Sequence, residues 1–189
     1  MKTLSVMYVS KCLLCMFFLV SCSSRALLVN EQPVPLSSKQ GYLLLKIESA
    51  SWLEKVQITG PERLAYQPES PKVNVDEYFL LPVKAGVYRV SEIKTGLLSF
   101  NTEEVFADIE NESVWQFTIE SGQINYIGDL YVNTHIAGAL KVKNELVNQS
   151  SQAYQYIRQY QADLLSRYPM RYAGPGNDPY LKMLTHRQK

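Results

Sequence analysis

Trp115-Gln116-Phe117-Thr118-Ile119-Glu120-Ser121-Gly122-Gln123-Ile124-Asn125-Tyr126 is the stretch that decides the fold. Large apolar side chains take every second position up to Ile119, and the same order resumes at Ile124. A period of two marks a strand with one face buried and the other wet. Ser121-Gly122 between the runs supplies a turn, since Gly adopts positive φ without a steric penalty. The habit extends upstream. Leu43, Leu45 and Ile47 alternate with Leu44, Lys46 and Glu48; Val56 and Ile58 with Lys55 and Gln57. Val73 and Val75 alternate with Asn74 and Asp76; Tyr88 and Val90 with Arg89 and Ser91. Downstream, Ile124, Tyr126, Leu130 and Val132 read as one apolar face with Asn125 and Asp129 opposite. Ile136, Leu140 and Val142 then face away from His135 and Lys141. Gly60-Pro61, the prolines at 68 and 71, and Ala85-Gly86 interrupt the runs where turns belong. The pattern predicts a mainly β chain. Its expected form is an antiparallel β-sandwich of about 7–9 strands over residues 41–145, with a barrel as the alternative.

After Val142 the period changes. Ala153, Tyr156, Ile157, Tyr160 and Leu164 recur at helical spacing, with Gln155, Arg158, Gln159 and Asp163 on other faces. Asn148, Ser150 and Ser151 are candidate N-caps, and Pro169 closes the segment. One C-terminal amphipathic helix is therefore expected from about Ser151 to Arg167, within a terminal region of residues 146–189. Its apolar stripe would cover the sheet or an edge strand. The tail from Tyr172 to Tyr180 reads as a loop from its Gly, Pro and Asn content.

Composition narrows the class. The chain has 189 residues, 46% hydrophobic and 20% charged, with Lys+Arg 19 against Asp+Glu 18. These values suit one folded domain and disfavour a disordered or many-spanning chain. A formal charge of +1 without a basic stripe gives no pull toward nucleic acid.

The amino terminus carries the sharpest motif. Lys2 and Lys11 precede the apolar run Cys12-Leu13-Leu14-Cys15-Met16-Phe17-Phe18-Leu19-Val20, and no acid occurs before Glu31. A helix of nine residues covers about 14 Å, less than half of a bilayer core of roughly 30 Å. The layout is that of a secretory signal peptide. Leu19-Val20-Ser21-Cys22 resembles the lipobox of bacterial lipoproteins, with an ordinary secretory peptide as the alternative. The resemblance implies a signal peptide over residues 1–21, lipid (palmitate among its acyl chains) on Cys22, and a membrane anchor. Ser23 after the cysteine implies an outer-membrane lipoprotein facing the periplasm. Cleavage discards Cys12, Cys15, Lys2 and Lys11, which turns the formal charge from +1 to −1 and leaves Cys22 as the sole cysteine. With its thiol lipidated, no internal disulfide can form. Residues 22–40, with Pro33 and Pro35, read as the lipidated cysteine and a tether.

Two further stretches carry a fold-level likeness. Leu81-Pro82-Val83-Lys84-Ala85-Gly86-Val87-Tyr88-Arg89-Val90 resembles the proline-then-Gly-x-Tyr opening of transthyretin-like and carboxypeptidase-regulatory-like sandwiches. Glu120 to Gly128 is similar to a later strand of small bacterial lipoproteins of unknown function. The likeness implies a fold and no activity.

Candidate chemistry is sparse. His135 and His186 are the two imidazoles, and no acids group at ligand spacing, so no metal or other cofactor is expected. Glu103-Glu104 and Glu110/Glu112 are acidic pairs, which run glycoside hydrolysis only across a cleft and on a turn form a solvated face. No Gly-x-Ser-x-Gly turn is present, and no catalytic residue is assigned. Six of the 13 tyrosines lie from Tyr154 onward. Tyr156 and Tyr160 read as the buried stripe of the helix, whereas Tyr172 and Tyr180 are the candidate binding residues. The expectation is a non-enzymatic cell-envelope lipoprotein that binds a protein partner or supports an envelope assembly. The alternative is a glycan- or peptidoglycan-binding module using the C-terminal tyrosines.

Overall fold

A computed structural model describes residues 25–27, 34–96, 98–101, 112–137, 139–181 and 183, and of residues 98–101, 112–113, 134–137 and 139–143 the backbone alone. The expected signal peptide, Cys22, Glu103, Glu104, Glu110 and His186 lie outside these residues, as do the side chains of Glu112 and His135.

Eleven strands, two α-helices of six residues or more and a 3-10 turn over Glu112–Trp115 occur among the described residues. The strands are β1 (Arg25–Ala26), β2 (Gln40–Ser49), β3 (Leu53–Thr59), β4 (Leu64–Tyr66), β5 (Val75–Lys84) and β6 (Gly86–Thr95). They continue as β7 (Leu98–Asn101), β8 (Gln116–Ile119), β9 (Ile124–Ala137), β10 (Ala139–Val147) and β11 (Met170–Tyr172). The helices are α1 (Ser150–Tyr160) and α2 (Ala162–Arg167). The first sheet runs β1-β4-β3-β6-β7, with β8 also on β6. The second runs β10-β9-β2-β5, with β11 also on β9. The chain is mainly β, and the turns expected at Gly60-Pro61, Ala85-Gly86 and Ser121-Gly122 all separate strands.

Both sheets are mixed, which differs from the all-antiparallel expectation. β2 and β11 run parallel to β9, and β1 runs parallel to β4. Alternation has the same period in either direction, so it reports burial and not strand sense. The single expected helix is also two. Gln161 leaves helical geometry at φ −142°, ending α1 and opening α2.

The two sheets share one core. Leu43, Leu45 and Ile47 of β2 meet Val56, Ile58, Val90 and Phe117 from the opposite sheet. A second cluster forms behind β2 and β9, where Tyr42, Leu44, Ile124 and Tyr126 receive Ala153 and Ile157 of α1 and Leu164 of α2. Leu44, expected on the wet face, is fully buried by this cover. Complete burial of one such side chain contributes about 2–3 kcal/mol. Tyr156 adds a stacked contact on Tyr78 of β5, with centroids 4.1 Å apart.

An irregularity in β9 decides which side chains enter which core. Leu44 pairs with Tyr126 but Lys46 with Asp129, so β9 carries one extra residue against β2. Gly128 sits in this bulge at φ +122°, where an L side chain would be strained. Ile124 and Tyr126 consequently face the helices, whereas Ile127, Leu130 and Val132 enter the core between the sheets. The single apolar face expected for Ile124, Tyr126, Leu130 and Val132 is thus two faces. Asn125 and Asp129, expected opposite, are both fully buried.

Asn125 and Asp129 each have a structural task. The Asn125 side chain accepts from the Glu120 amide at 2.9 Å and donates to the Glu120, Gln123 and Tyr42 carbonyls. It pins the β8–β9 turn against β2, where a Cβ on Gly41 would collide with the Glu120 carbonyl oxygen. Across the bulge, the Tyr126 hydroxyl donates to Asp129 Oδ1 at 2.6 Å and accepts from the Gln149 amide at the head of α1. Burial pushes the Asp129 carboxyl up to about 6, opposed by the Tyr126 hydroxyl and by Lys46. Lys46 is held by Asp76 at 2.7 Å and Glu48 at 3.1 Å, and these two acids raise Asp129 further.

The segment read as a tether joins the fold at two places. The Arg25 and Leu27 amides donate to the Arg63 and Ala65 carbonyls, and Leu27 is buried in the inter-sheet core. Val34 and Leu36 are bonded by the hydroxyls of Tyr42 and Tyr168.

Two outcomes follow for stability. Asn125→Ala strands the Glu120 amide and removes the clamp, with an expected loss of about 2–4 kcal/mol in urea unfolding. Asp129 is protonated more readily in the native than in the unfolded chain, so its contribution is full below about pH 4 and lost as pH rises through 6. Relative to Asp129→Asn, the wild-type protein should lose about 2 kcal/mol between pH 4 and pH 7, read from paired urea midpoints. A constant difference between the two curves would show that Asp129 does not titrate in this interval.

Candidate cavity beside strand β11

The C-terminal tail is less of a loop than its composition suggests. β11 lays Met170, Arg171 and Tyr172 in parallel register with Ile124, Asn125 and Tyr126, and the Ala173 amide then donates to the Tyr126 carbonyl at 2.7 Å. Arg171 crosses to the neighbouring turn, bonding Glu120 Oε1 at 2.8 Å and the Thr118 carbonyl at 3.3 Å. The chain turns through Gly174-Pro175-Gly176, and Asp178 Oδ1 accepts from the Tyr180 and Leu181 amides. An acid that accepts from amides two and three residues ahead, followed directly by Pro, is an N-cap followed by a helix-compatible first residue. A short helical turn at 179–181 results, and it buries Leu181 against the helix-side core.

Between β11, the loop and this turn lies a cavity of about 300 Å³, walled by Met170, Arg171, Tyr172, Asn177, Asp178 and Leu181. Asp178 is 5% exposed, and its Oδ2 has no hydrogen-bond partner. The Tyr172 hydroxyl donates to the Pro175 carbonyl at 2.9 Å. Burial, and secondarily the Asp178 charge, pushes that phenol up to about 12. Tyr172 therefore stays a neutral donor and aromatic wall at any physiological pH. The wall joins an aromatic face, a guanidinium already engaged and one carboxylate oxygen short of a partner. A hydroxyl or an ammonium group supplies the hydrogen that Asp178 Oδ2 needs.

Of the two tyrosines singled out in the sequence, one lines this cavity. Tyr172 belongs to it from strand β11, not from a loop. Tyr180 is half-buried and turns its ring edge-on to Tyr154 of α1, 6.5 Å away, so it braces the helical turn. The helix tyrosines also divide. Tyr156 is half-buried on Tyr78, but Tyr160 is 61% exposed, because the break at Gln161 leaves it at the end of α1. Asp178 was missed by reasoning from the sequence, although Asp178-Pro179 is a legible cap signal. Trp52 was missed too. It is 61% exposed on the β2–β3 turn, where its carbonyl accepts from the Gly96 amide at 2.9 Å.

Among the described residues, no group of three or more His, Cys, Asp or Glu is placed to hold a metal ion. No described helix is long and apolar enough to cross a membrane.

Comparison with known proteins assigns no family. No family model matches the chain, and no curated protein matches it. Among solved structures, a leucine-rich repeat protein from Bacteroides thetaiotaomicron aligns at 18% identity with a TM-score of 0.28. The alignment covers 50% of this chain and 12% of that one, and at this TM-score it carries no argument about fold or function.

Proposed function

We propose that this chain is a non-enzymatic cell-envelope lipoprotein, anchored through Cys22, whose β-rich body works by binding. Its two sheets serve as a sandwich-like frame, and the cavity beside β11 receives a unit of cell-wall glycan or peptidoglycan. The observation that carries the binding reading is the buried, unpartnered Asp178 Oδ2 set beside the Tyr172 ring. Leaving a buried carboxylate oxygen unpaired costs at least about 1–3 kcal/mol, which a ligand donor offsets. Among the described residues a single carboxylate lines the cavity, whereas glycoside hydrolysis in its usual form needs two facing each other, so binding is the better match. The lipobox-like Leu19-Val20-Ser21-Cys22 supports the anchor, and Ser23 supports the outer membrane with the body facing the periplasm. A protein partner is the second reading. Trp52 favours it, since exposed Trp is enriched among interface hot spots.

Cys22→Ser should abolish acylation by mass and move the protein from the particulate to the soluble fraction. A variant that stays particulate and acylated overturns the anchor. Cosedimentation with purified cell wall tests the cavity. Asp178→Asn keeps the Oδ1 cap and removes the charge, and it should weaken retention at least tenfold, as should Tyr172→Ala. Tyr180→Phe, which keeps the ring against Tyr154, should change retention little. Retention unaltered by both cavity variants rejects the glycan reading, and site-specific crosslinking from position 52 then addresses the partner.

A further inference from the structure

A second cavity, of about 410 Å³, opens where β4 leads into the loop before β5. Leu27, Tyr66, Pro68, Glu69, Lys72 and Glu77 line it. Two polar atoms of this wall are buried without a hydrogen-bond partner: the Tyr66 hydroxyl and Glu77 Oε2. Both side chains have neighbours that hold them. Tyr66 is 4% exposed, with its ring edge-on to Phe79 at 5.3 Å. Glu77 Oε1 is held by Lys72 at 3.4 Å, and the Lys72 backbone is fixed by a reciprocal bridge to Leu53. Burial first and the Glu77 charge second push the Tyr66 phenol up to about 12, so it remains an O–H donor.

A buried phenol and a buried carboxylate oxygen in one wall, each unpaired, both cost stability, because each has given up water without gaining a partner. A fold without use for them would place Phe and an apolar residue there, or let the phenol donate to the carboxylate. We infer that this cavity is a binding site for a neutral, hydroxyl-bearing small molecule of the size of one sugar ring. One hydroxyl can donate to Glu77 Oε2 while another, or the same one, accepts from Tyr66. An ammonium group cannot accept from the phenol. A carboxylate or phosphate would meet Glu77 and Glu69 as like charges, and Lys72 in the same wall is already paired with Glu77 Oε1. Leu27, Pro68 and the Tyr66 ring offer apolar surface for the C–H face of such a ligand. The volume lies within the range of small-molecule pockets, roughly 300–1,000 Å³, and far exceeds the share of one water, about 30 Å³.

The site is independent of the cavity beside β11, and its test separates them. The full chain is titrated with glucose, galactose, N-acetylglucosamine and glycerol, with binding read by saturation-transfer NMR and calorimetry. At least one of these should bind. Tyr66→Phe keeps the ring and Glu77→Gln keeps the shape, and each should weaken binding at least tenfold, whereas Asp178→Asn should not. Tyr66→Phe should also leave Tm equal to or above that of the wild-type protein, because it deletes an unsatisfied buried hydroxyl. The inference is overturned if none of the four compounds binds, or if binding survives both substitutions. A clear fall in Tm for Tyr66→Phe overturns it as well, since the hydroxyl would then be satisfied within the fold or by ordered water alone.

Discussion

One extra residue in β9 holds the architecture in register. Side chains alternate strictly along a strand, so a shift of one position sends every later residue to the other face. β9 uses that shift once, at Ile127-Gly128, to give its first residues to the helix side and its later ones to the space between the sheets. Both faces of β9 are therefore apolar in turn, and both must be covered. The helices α1 and α2, the pairing of β11, and the Tyr126–Asp129 contact all depend on this step. Tyr126 and Asp129 are three apart and meet on one face because the bulge lies between them.

Much of the sheet content was legible in the sequence, since half-burial imposes a two-residue period and glycine marks the turns. Leu43, Leu45 and Ile47, and Phe117 and Ile119, lie in the inter-sheet core as their spacing suggests. Three features were not legible, each for a physical reason. Strand direction leaves no trace in alternation, which hid the parallel β2–β9 pairing. The cover over the second sheet comes from residues far along the chain, so Leu44 looked wet and is dry, while Asn125 on the opposite face is dried by the β8–β9 turn it clamps. The helix period says nothing about where a helix breaks, which put Tyr160 in the stripe although it is exposed. In the candidate site, Tyr172 was found by residue type alone. Asp178 was not, because an acid in a Gly- and Pro-rich tail resembles an ordinary turn residue until its burial is known.

Three carboxylates illustrate how surroundings assign a role to one chemical group. Asp129 is sealed within the second sheet and closed off by a phenol, so its unpaired oxygen weighs on the stability of the fold. Asp178 and Glu77 also keep one oxygen unpaired, but each lines a cavity large enough to admit a ligand. In all three, the partner already present holds one oxygen and leaves the other. What differs is access.

The two-residue strand β1 bears on geometry at the bilayer. With lipid on Cys22 as proposed, Ser23 and Ser24 alone separate the acylated residue from Arg25, whose amide is already bonded to the Arg63 carbonyl. Three residue steps span at most about 11 Å. The β1–β4 margin would ride almost flush with the headgroups, as a float moored on a very short line, and could not swing freely through the periplasm. Which flank of the protein looks outward would then be dictated by a single hydrogen-bonded margin and not by a flexible leash.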